Sequence, residues 1–366
     1  MRIVQVIPGS LYQGGIGSFV RYLSIDIAKH GHQVSIYCVD NSTYAETDEF
    51  KKNISLKVFR YVLGDPFYMP LTDLITSLRT EKADVIHVHN IHTVLPAYLG
   101  MLKRCFQGEL VLHPHYHVYG QNIVRDLFFK FYKKMLYYYI LPNYRAIVVN
   151  SNYEEEAFKR DFPHVSSTVI LIPEEYLITI PPQLKWVPSL ELKKILYVGT
   201  LRKYKNVDIL FHAFRILNSR RKDVELHIIG DGPEKEKLIE LACKLGIQNK
   251  IIMRANLSYD ELLQEYANSN VVVLLSRLES FSRVAHEATT IGVPLIVYAQ
   301  GILCSIVKKG LAKAVYSLDP VEVANAINEV LNGDWKPSHS TLQVSTQKRK
   351  YSDLIIKLYE KILDIP

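Results

Sequence analysis

The sequence is poor in cysteine and has no long apolar run, and both shortages exclude whole classes of protein. The four cysteines lie far apart, at Cys38, Cys105, Cys243 and Cys304. Because no two of them form a C-x-x-C pair, we expect neither a disulfide framework nor a zinc knuckle, and a reducing, cytoplasmic compartment fits. The longest apolar stretches, such as 134–142 and 271–275, are far shorter than the roughly 20 residues that cross a bilayer.

A secretory leader is not expected either, and neither sign of charge dominates. The apolar run that ends at Pro8 is shorter than the roughly 7 to 15 residues of a signal peptide. The net charge of +7 suits a phosphorylated ligand or an anionic membrane surface, but it is specific to neither. With 48% apolar and 22% charged residues over 366 positions, the chain is globular and, at roughly 150 residues per domain, about two domains long.

Short β-branched runs alternate with helical patterns in both halves of the chain. The runs begin near 3, 34, 84, 110 and 146, and again near 194, 225, 250, 271 and 294. Strands that are apolar on both faces belong to buried parallel sheets, so the pattern predicts two doubly wound α/β sheets. A proline-dense stretch at 173–192 separates the two series and is typical of a linker.

These boundaries divide the chain into three segments. We expect an N-terminal domain at 1–178 and a second domain at 193–345. The last segment, 346–366, contains an amphipathic helical pattern and is expected to cross back to the first domain.

A glycine cluster follows the first predicted strand. Gly14, Gly15 and Gly17 would let the backbone approach a ligand, and the helix start behind them offers N–H groups to an anion. The cluster is not a dinucleotide fingerprint, because the third glycine of G-x-G-x-x-G would fall at Val20. A flexible loop without a ligand is the alternative.

Two glutamates eight residues apart, Glu279 and Glu287, follow the apolar run at 271–275. A carboxylate at the carboxyl end of a parallel strand faces the crevice where such sheets bind ligands. Carboxylate oxygens accept hydrogen bonds from sugar hydroxyls, two at a time where the hydroxyls are adjacent. The spacing alone is weak evidence, since surface glutamates eight apart are common.

The motifs around these glutamates identify a family. The second half reads ILYVGTLRKYKNVDILFHAFRIL, then VELHIIGDGPEKEKLIELACKLGI, then YDELLQEYANSNVVVLLSRLESFSRVAHEATTIGVPLIVY, and the opening reads GGIGSFVRYLSIDIAKHGHQVSIY. Over essentially its whole length the chain resembles the retaining glycosyltransferases of family 4, or glycosyltransferase group 1. The resemblance implies an α/β protein of the GT-B fold, with two Rossmann-like domains facing a cleft and a C-terminal helix crossing back.

The resemblance also implies that the domain at 1–178 binds the acceptor and that residues of the domain at 193–345 bind a nucleoside diphosphate sugar. Glu287 would hold the ribose hydroxyls, Glu279 would lie near the donor sugar, and Lys205 would stabilise the diphosphate as it leaves. The family usually has Arg directly after the strand's glycine, where this chain has Thr200, and Arg202 is expected to supply that cation.

Further donor contacts are expected in the loops of the second half. Ser282 stands where the family often has Gly, and Ser305 where an acidic residue is common. The remaining candidates are the glycine of the G-D-G-P turn, the loop beside the base and the start of the next helix: Gly230, Asn256, Leu257, Phe281, Ser282 and Arg283. Backbone N–H groups at that helix start would remain available to the donor, and Arg283 is a second substitute cation.

Several histidines cluster in the first half. By family likeness, His115 matches the histidine near the anomeric centre of the sugar. Alternate histidines on a strand can bind zinc, but Pro114 bends the segment that holds His113, His115 and His117, so a metal there is not favoured. Three more, in the stretch 87–92, are expected to be loop or supporting residues at the same edge.

Residues 123–141 interleave aromatic and basic side chains. We expect this segment to be a helix that contacts an anionic membrane surface, and a packed helix with a solvated face is the alternative. Nothing in the sequence indicates a nucleic-acid recognition fold.

The resemblance implies an enzyme that moves a sugar, with retention, from a UDP- or GDP-sugar to a hydroxyl of a lipid-linked or cell-surface glycan precursor. We expect no cofactor and no metal, because the Lys/Arg pair takes the place of a D-x-D diphosphate site. A degenerate GT-B scaffold without activity is the alternative, motivated by Thr200, Ser282 and Ser305.

Overall fold

The structure is a computed structural model of the whole chain. It describes residues 1–11, 14–40, 54–64, 67–70, 73–118, 123–174, 178, 180–255, 257–338 and 350–365. The chain forms two compact units, residues 1–177 together with 348–366, and residues 178–347.

The first unit is built on a parallel sheet. Its strands are β1 (Arg2–Pro8), β2 (Gln33–Val39), β3 (Ile54–Phe59), β6 (Val85–His89), β7 (Glu109–His113), β8 (Ala146–Val149) and β9 (Val169–Leu171), and a short antiparallel pair is formed by β4 (Tyr61–Leu63) and β5 (Met69–Pro70). The seven-stranded sheet has the order β3-β2-β1-β6-β7-β8-β9. The helices are α1 (Gly14–Lys29), α2 (Asp73–Glu81), α3 (Leu95–Met101), α4 (Ile123–Met135), α5 (Asn152–Asp161) and α12 (Tyr351–Ile362).

Both faces of this sheet are buried, which explains why its strands are apolar throughout. In β1, Val4 and Val6 point into one core cluster, whereas Ile3 and Ile7 point into another. The second cluster also contains α1 and α12, so the C-terminal helix packs on the sheet of the first unit.

The second unit repeats this architecture. Its strands are β10 (Lys193–Val198), β11 (Val224–Ile229), β12 (Ile251–Arg254), β13 (Val271–Leu274), β14 (Leu295–Tyr298) and β15 (Lys313–Val315). Its helices are α6 (Val207–Arg220), α7 (Lys235–Leu245), α8 (Tyr259–Ala267), α9 (Arg283–Ile291), α10 (Leu303–Lys308) and α11 (Pro320–Asn332). All strand pairs are parallel, in the order β12-β11-β10-β13-β14-β15.

The predicted pair of doubly wound, Rossmann-like sheets is therefore confirmed. In each sheet the strand order reverses once, between β1 and β6 in the first unit and between β10 and β13 in the second. Ligands of such sheets bind outside the carboxyl ends of the strands at this reversal, so it is the place to look for a site. Among the described helices, none is both long and apolar enough to cross a membrane.

Candidate active site

The loops after β10 and β13 meet at the strand reversal of the second unit. Asn206, which ends the short helical turn Lys203–Lys205, has a left-handed backbone with φ of 54°. Its Nδ2 donates a hydrogen bond of 2.7 Å to the carbonyl of Leu275, just after β13. The N–H of Arg277 in turn donates to the carbonyl of Tyr204 at 3.0 Å. These bonds hold the two loops together.

This arrangement pairs Lys205 with Glu279 across 74 residues of sequence. Lys205 Nζ donates to Glu279 Oε1 at 2.6 Å, and the two side chains are only 14% and 15% exposed. Burial alone would lower the pKa of Lys205, but the Glu279 carboxylate and Tyr204 outweigh it, so this pKa lies above its ordinary value. Lys205 is thus a fixed cation at the sheet edge.

Glu287 lies in α9, the helix that follows Glu279 along the chain. Its side chain is buried, with Tyr266 Oη donating to Oε2 at 3.0 Å and Arg283 Nη2 lying 3.4 Å from Oε1. Burial raises the pKa of Glu287, and Arg283 and the tyrosines only partly oppose the rise. Because a carboxylate has about four lone-pair sites, these contacts leave room for ligand hydroxyls.

The start of α9 is shaped by a residue with a left-handed backbone. Ser282 has φ of 68°, and its own side chain does not cap the first turn of the helix. The buried Oγ of Ser282 has no hydrogen-bond partner among the described residues. The Phe281 ring stacks on His286, with ring centroids 4.0 Å apart. The helix therefore begins with backbone donors that the Ser282 side chain leaves uncapped.

The remaining candidates of this unit differ in their surroundings. A Cβ at Gly230 would lie 1.9 Å from the carbonyl oxygen of Gly199, so glycine is required there for two loops to cross. Leu257 is half-buried and lies two residues before α8, next to its N-cap Ser258, whereas Asn256 lies outside the described residues. Arg202 is half-buried, and within the described part of the chain its guanidinium has no ion-pair partner.

In the first unit, the glycine cluster opens α1 after β1. Gly14 has φ of 80°, and a Cβ at Gly17 would lie 2.5 Å from the carbonyl oxygen of Ser10. The backbone conformation at Gly14 and the close packing at Gly17 therefore explain why glycine occupies these two positions. Gly15 is exposed and its Cβ position is open, so of these three glycines it is the one that packing does not require.

His115 follows β7 with φ of 47° and is buried. Its ring stacks on His113 at 4.4 Å, and its two nitrogens lie 3.3 Å from His89 Nδ1 and 3.4 Å from Asn150 Nδ2. Burial, with smaller contributions from His113 and His87, lowers the pKa of His115 well below its ordinary value, so the imidazole is neutral at pH 7.

The neighbouring histidines are divided between two places. His87 and His89 are not loop residues, because they lie in β6 and are fully buried beside His113. His117 lies outside this group, and its ring stacks on that of His92 with centroids 3.7 Å apart. Histidines 113, 115 and 117 therefore do not share one strand face, as the bend at Pro114 suggested.

A cavity of about 520 Å³ lies elsewhere in the second unit. It is lined by both tryptophans, Trp186 and Trp335, and by Asn270 and Pro294, which directly precede β13 and β14. The amino ends of parallel strands form the edge opposite the carboxyl ends, so this cavity does not belong to the Lys205 site.

Comparison with known proteins agrees with this architecture. The family model described as Glycosyl transferases group 1 matches residues 185–361, and that described as Glycosyltransferase Family 4 matches residues 13–174. An uncharacterised glycosyltransferase of Methanocaldococcus jannaschii is 25% identical over 350 residues, covering 88% of this chain and 86% of the relative.

Solved structures show the same fold. Sucrose-phosphate synthase from Thermosynechococcus elongatus is 18% identical with a TM-score of 0.71, over 100% of both chains. HepE from Anabaena, solved with UDP and glucose, is 17% identical with a TM-score of 0.69, over 98% of each chain. These likenesses confirm the GT-B expectation. Together with the two family models, they show that the chain belongs to the group 1 glycosyltransferases of family 4 and is an enzyme of EC class 2.4.

Proposed function

We propose that the chain transfers a sugar from a nucleoside diphosphate sugar to an acceptor hydroxyl, with retention at the anomeric carbon. The observation that carries the proposal is the junction of Lys205, Glu279 and the start of α9 at one strand reversal of the second unit. A fixed cation beside uncapped backbone donors suits a diphosphate. HepE, which shares the fold, was solved with UDP and glucose, and we take UDP or GDP as the nucleotide here.

Different residues bind different parts of the donor. Glu287 accepts hydrogen bonds from the ribose hydroxyls, beside the base that Leu257 contacts. The helix start at Phe281, Ser282 and Arg283 faces the phosphates. Glu279 holds Lys205 through Oε1 and offers its other oxygen to a hydroxyl of the donor sugar.

Catalysis follows from where charge develops. As the anomeric C–O bond breaks, negative charge grows on the departing diphosphate, and Lys205 and Arg202 stabilise it. The acceptor hydroxyl attacks from the same face and loses its proton to an oxygen of the leaving phosphate, so the anomeric configuration is retained. His115 would lie near the anomeric carbon as a neutral hydrogen-bonding group, with Gly14 and Gly15 on the same edge of the first unit. No metal or other cofactor is needed for these steps.

We propose that the acceptor is a lipid-linked or cell-surface glycan precursor at the cytoplasmic face of a membrane. In α4, Phe129 and Tyr132 pack inward, whereas Leu127 and Phe131 are 72% and 79% exposed. Beyond α4, in the π-helical turn Leu136–Ile140, Tyr138 and Tyr139 are also exposed. Lysines 130 and 134 are exposed beside this apolar stripe, and the combination suits an anionic membrane interface.

Vesicle flotation tests the membrane contact. The full chain should float with anionic vesicles and stay behind with neutral ones, and Leu127→Ser together with Phe131→Ser should abolish flotation. Equal recovery with both kinds of vesicle, or an unaffected double variant, would refute the contact.

A matched pair of lysine variants tests the transfer reaction. Lys203 lies in the same turn as Lys205, but it is 75% exposed and pairs with Asp208. With UDP-, GDP- and ADP-sugars, we expect hydrolysis or transfer by the wild type, its near loss in Lys205→Met and its survival in Lys203→Met. NMR of the first-formed product should show the donor's own anomeric configuration. No turnover of any donor would favour the inactive scaffold.

A further inference from the structure

Four imidazoles form a closed cluster in the core of the first unit. This histidine cluster consists of His87 and His89 from β6, His113 from β7, and His115 from the loop that follows, and all four are buried. Phe19 of α1 contacts three of the rings at centroid distances of 4.7 to 5.9 Å. The cluster lies wholly within the first unit.

Polar partners fix the outward-facing nitrogen of three rings. His89 Nε2 donates to Gln5 Oε1 at 2.8 Å, and His113 Nε2 donates to Asn150 Oδ1 at 2.5 Å. The orientation of the Asn150 amide follows from its Nδ2, which donates to Glu174 Oε2 at 2.9 Å. The Nδ1 atoms of His89 and His113 therefore carry lone pairs.

For His87 the partner is a hydroxyl, which accepts as well as donates, so the tautomer with a lone pair on Nε2 is available. His87 Nδ1 lies 2.6 Å from Tyr359 Oη of α12, which leaves Nε2 as the nitrogen on the other side of the ring. Imidazoles that bind metals are held in this way, with the second nitrogen hydrogen-bonded to a polar group that sets the tautomer and the ring orientation.

Two of the remaining nitrogens are orphaned. Within the described part of the chain, His87 Nε2 and His113 Nδ1 are buried and have no hydrogen-bond partner. Folded proteins rarely leave such atoms unsatisfied, and an ion or a water that fills the gap is the usual explanation. One ring nitrogen from each of His87, His89 and His113 lies within 4.8 Å of one from each of the others.

We propose that His87, His89 and His113 bind a transition-metal ion of the Zn²⁺ class, through His87 Nε2, His89 Nδ1 and His113 Nδ1. Metal–nitrogen bonds of about 2.0–2.1 Å place tetrahedral ligands roughly 3.3 Å apart, so the rings, whose planes now lie 15–26° from one another, need to turn as well as move inward. His89 Nδ1 exchanges its long hydrogen bond from His115 Nε2, 3.3 Å, for the metal.

Negative charge for such an ion is present one side chain away. The buried carboxylate of Glu174 accepts a hydrogen bond from the side-chain nitrogen of Asn150, whereas burial raises the pKa of Glu154, which accepts from the Asn150 backbone, to about 8. The cluster also contacts α12 through Tyr359, and Tyr351 Oη donates to Asn150 Oδ1 at 3.1 Å. The ion would thus be structural, and it would tie the C-terminal helix to β6 and β7.

The alternation in the sequence groups different histidines, namely 113, 115 and 117, and a metal at those three was not favoured. The ligands come from two neighbouring strands, where β-sheet register places His89 opposite His113. Histidines 92 and 117 lie outside the cluster and stack on each other. They provide matched controls in the same unit.

Metal content of the untagged full-length chain tests the proposal. After expression with added Zn²⁺ and dialysis against a weak chelator, elemental analysis should give about one equivalent of zinc per chain. Protein produced with Co²⁺ should show the visible absorption of a tetrahedral cobalt site. His113→Gln and His87→Gln should lose the metal, whereas His92→Gln and His117→Gln should keep it.

If the cluster variants fail to fold, the metal content of the wild type alone tests the proposal. Folded wild-type protein with under a tenth of an equivalent of metal after both expressions would overturn the proposal and leave a buried water as the occupant. Equal metal loss in the cluster variants and the controls would overturn it as well.

Discussion

Replacing Glu279 by Gln should destabilise the second unit through Lys205. The substitution keeps the size of the side chain and an oxygen that can accept from Lys205 Nζ, now 2.6 Å from Oε1, but it removes the charge. Burial still lowers the pKa of Lys205, but the Glu279 charge that raised it most is gone. The pKa of Lys205 therefore falls below its ordinary value.

The magnitude follows from the geometry of the pair. Unit charges 4 Å apart attract by about 4 kcal/mol at an effective dielectric constant near 20, and removing one partner of a buried pair costs about 3–5 kcal/mol. Because the side chains keep 14% and 15% exposure, water relieves part of this cost. We expect a loss of about 2–3 kcal/mol, or roughly 4–12 °C in Tm for a unit of this size.

A double-mutant cycle measures this coupling. Tm is determined for Glu279→Gln, Lys205→Met and the double variant, and the double variant should lose less than the sum of the single ones by about 2 kcal/mol. Asp208→Asn, which breaks the exposed pair with Lys203, is the control and should cost at most about 1 kcal/mol. Single losses that add to within about 0.5 kcal/mol would refute the reasoning.

Four other substitutions probe the backbone and the acid response. Ser282→Gly should stabilise by about 0.5–1 kcal/mol, because relief of the φ of 68° exceeds the entropy cost of glycine, and a lower Tm in calorimetry would contradict this. Burial lowers the pKa of His286 to about 4, so folded protein loses stability as pH falls below about 6.5, by roughly 2 kcal/mol from this group at pH 5. His286→Gln should remove that part of the slope, and unchanged slopes of Tm against pH would count against it. Gly230→Ala should unfold or distort the chain, whereas Gly15→Ala should keep the wild-type circular dichroism, and equal behaviour would contradict the glycine assignments.

The sheets and most helices could be predicted from the sequence because their signal is local. The helices α6 and α9 lie between strands, where the alternation of β-branched runs and helical patterns places them. Strands buried on both faces leave continuous β-branched runs. The segment 123–141 was predicted as one helix, but α4 ends at Met135 and continues as a π-helical turn, which apolar periodicity does not reveal.

The contacts that build the site could not be predicted, since they join distant positions. Nothing near Tyr266 indicates that its hydroxyl binds Glu287, 21 residues later. Asn206 gives no local sign that it holds the Lys205 loop on Leu275. Strand alternation grouped His115 with His117, whereas the left-handed backbone of His115 and the parallel register of β6 and β7 decide the actual neighbours.

Calorimetric titration of UDP and GDP tests the central claim, a diphosphate donor site in the second unit, most directly. The wild type and the control Glu240→Gln, an exposed glutamate on α7, should bind one of the two nucleotides equally well. Glu287→Gln and Lys205→Met should each weaken binding at least tenfold, or about 1.4 kcal/mol. Unchanged affinity in both variants, with binding intact in the wild type, would contradict the account.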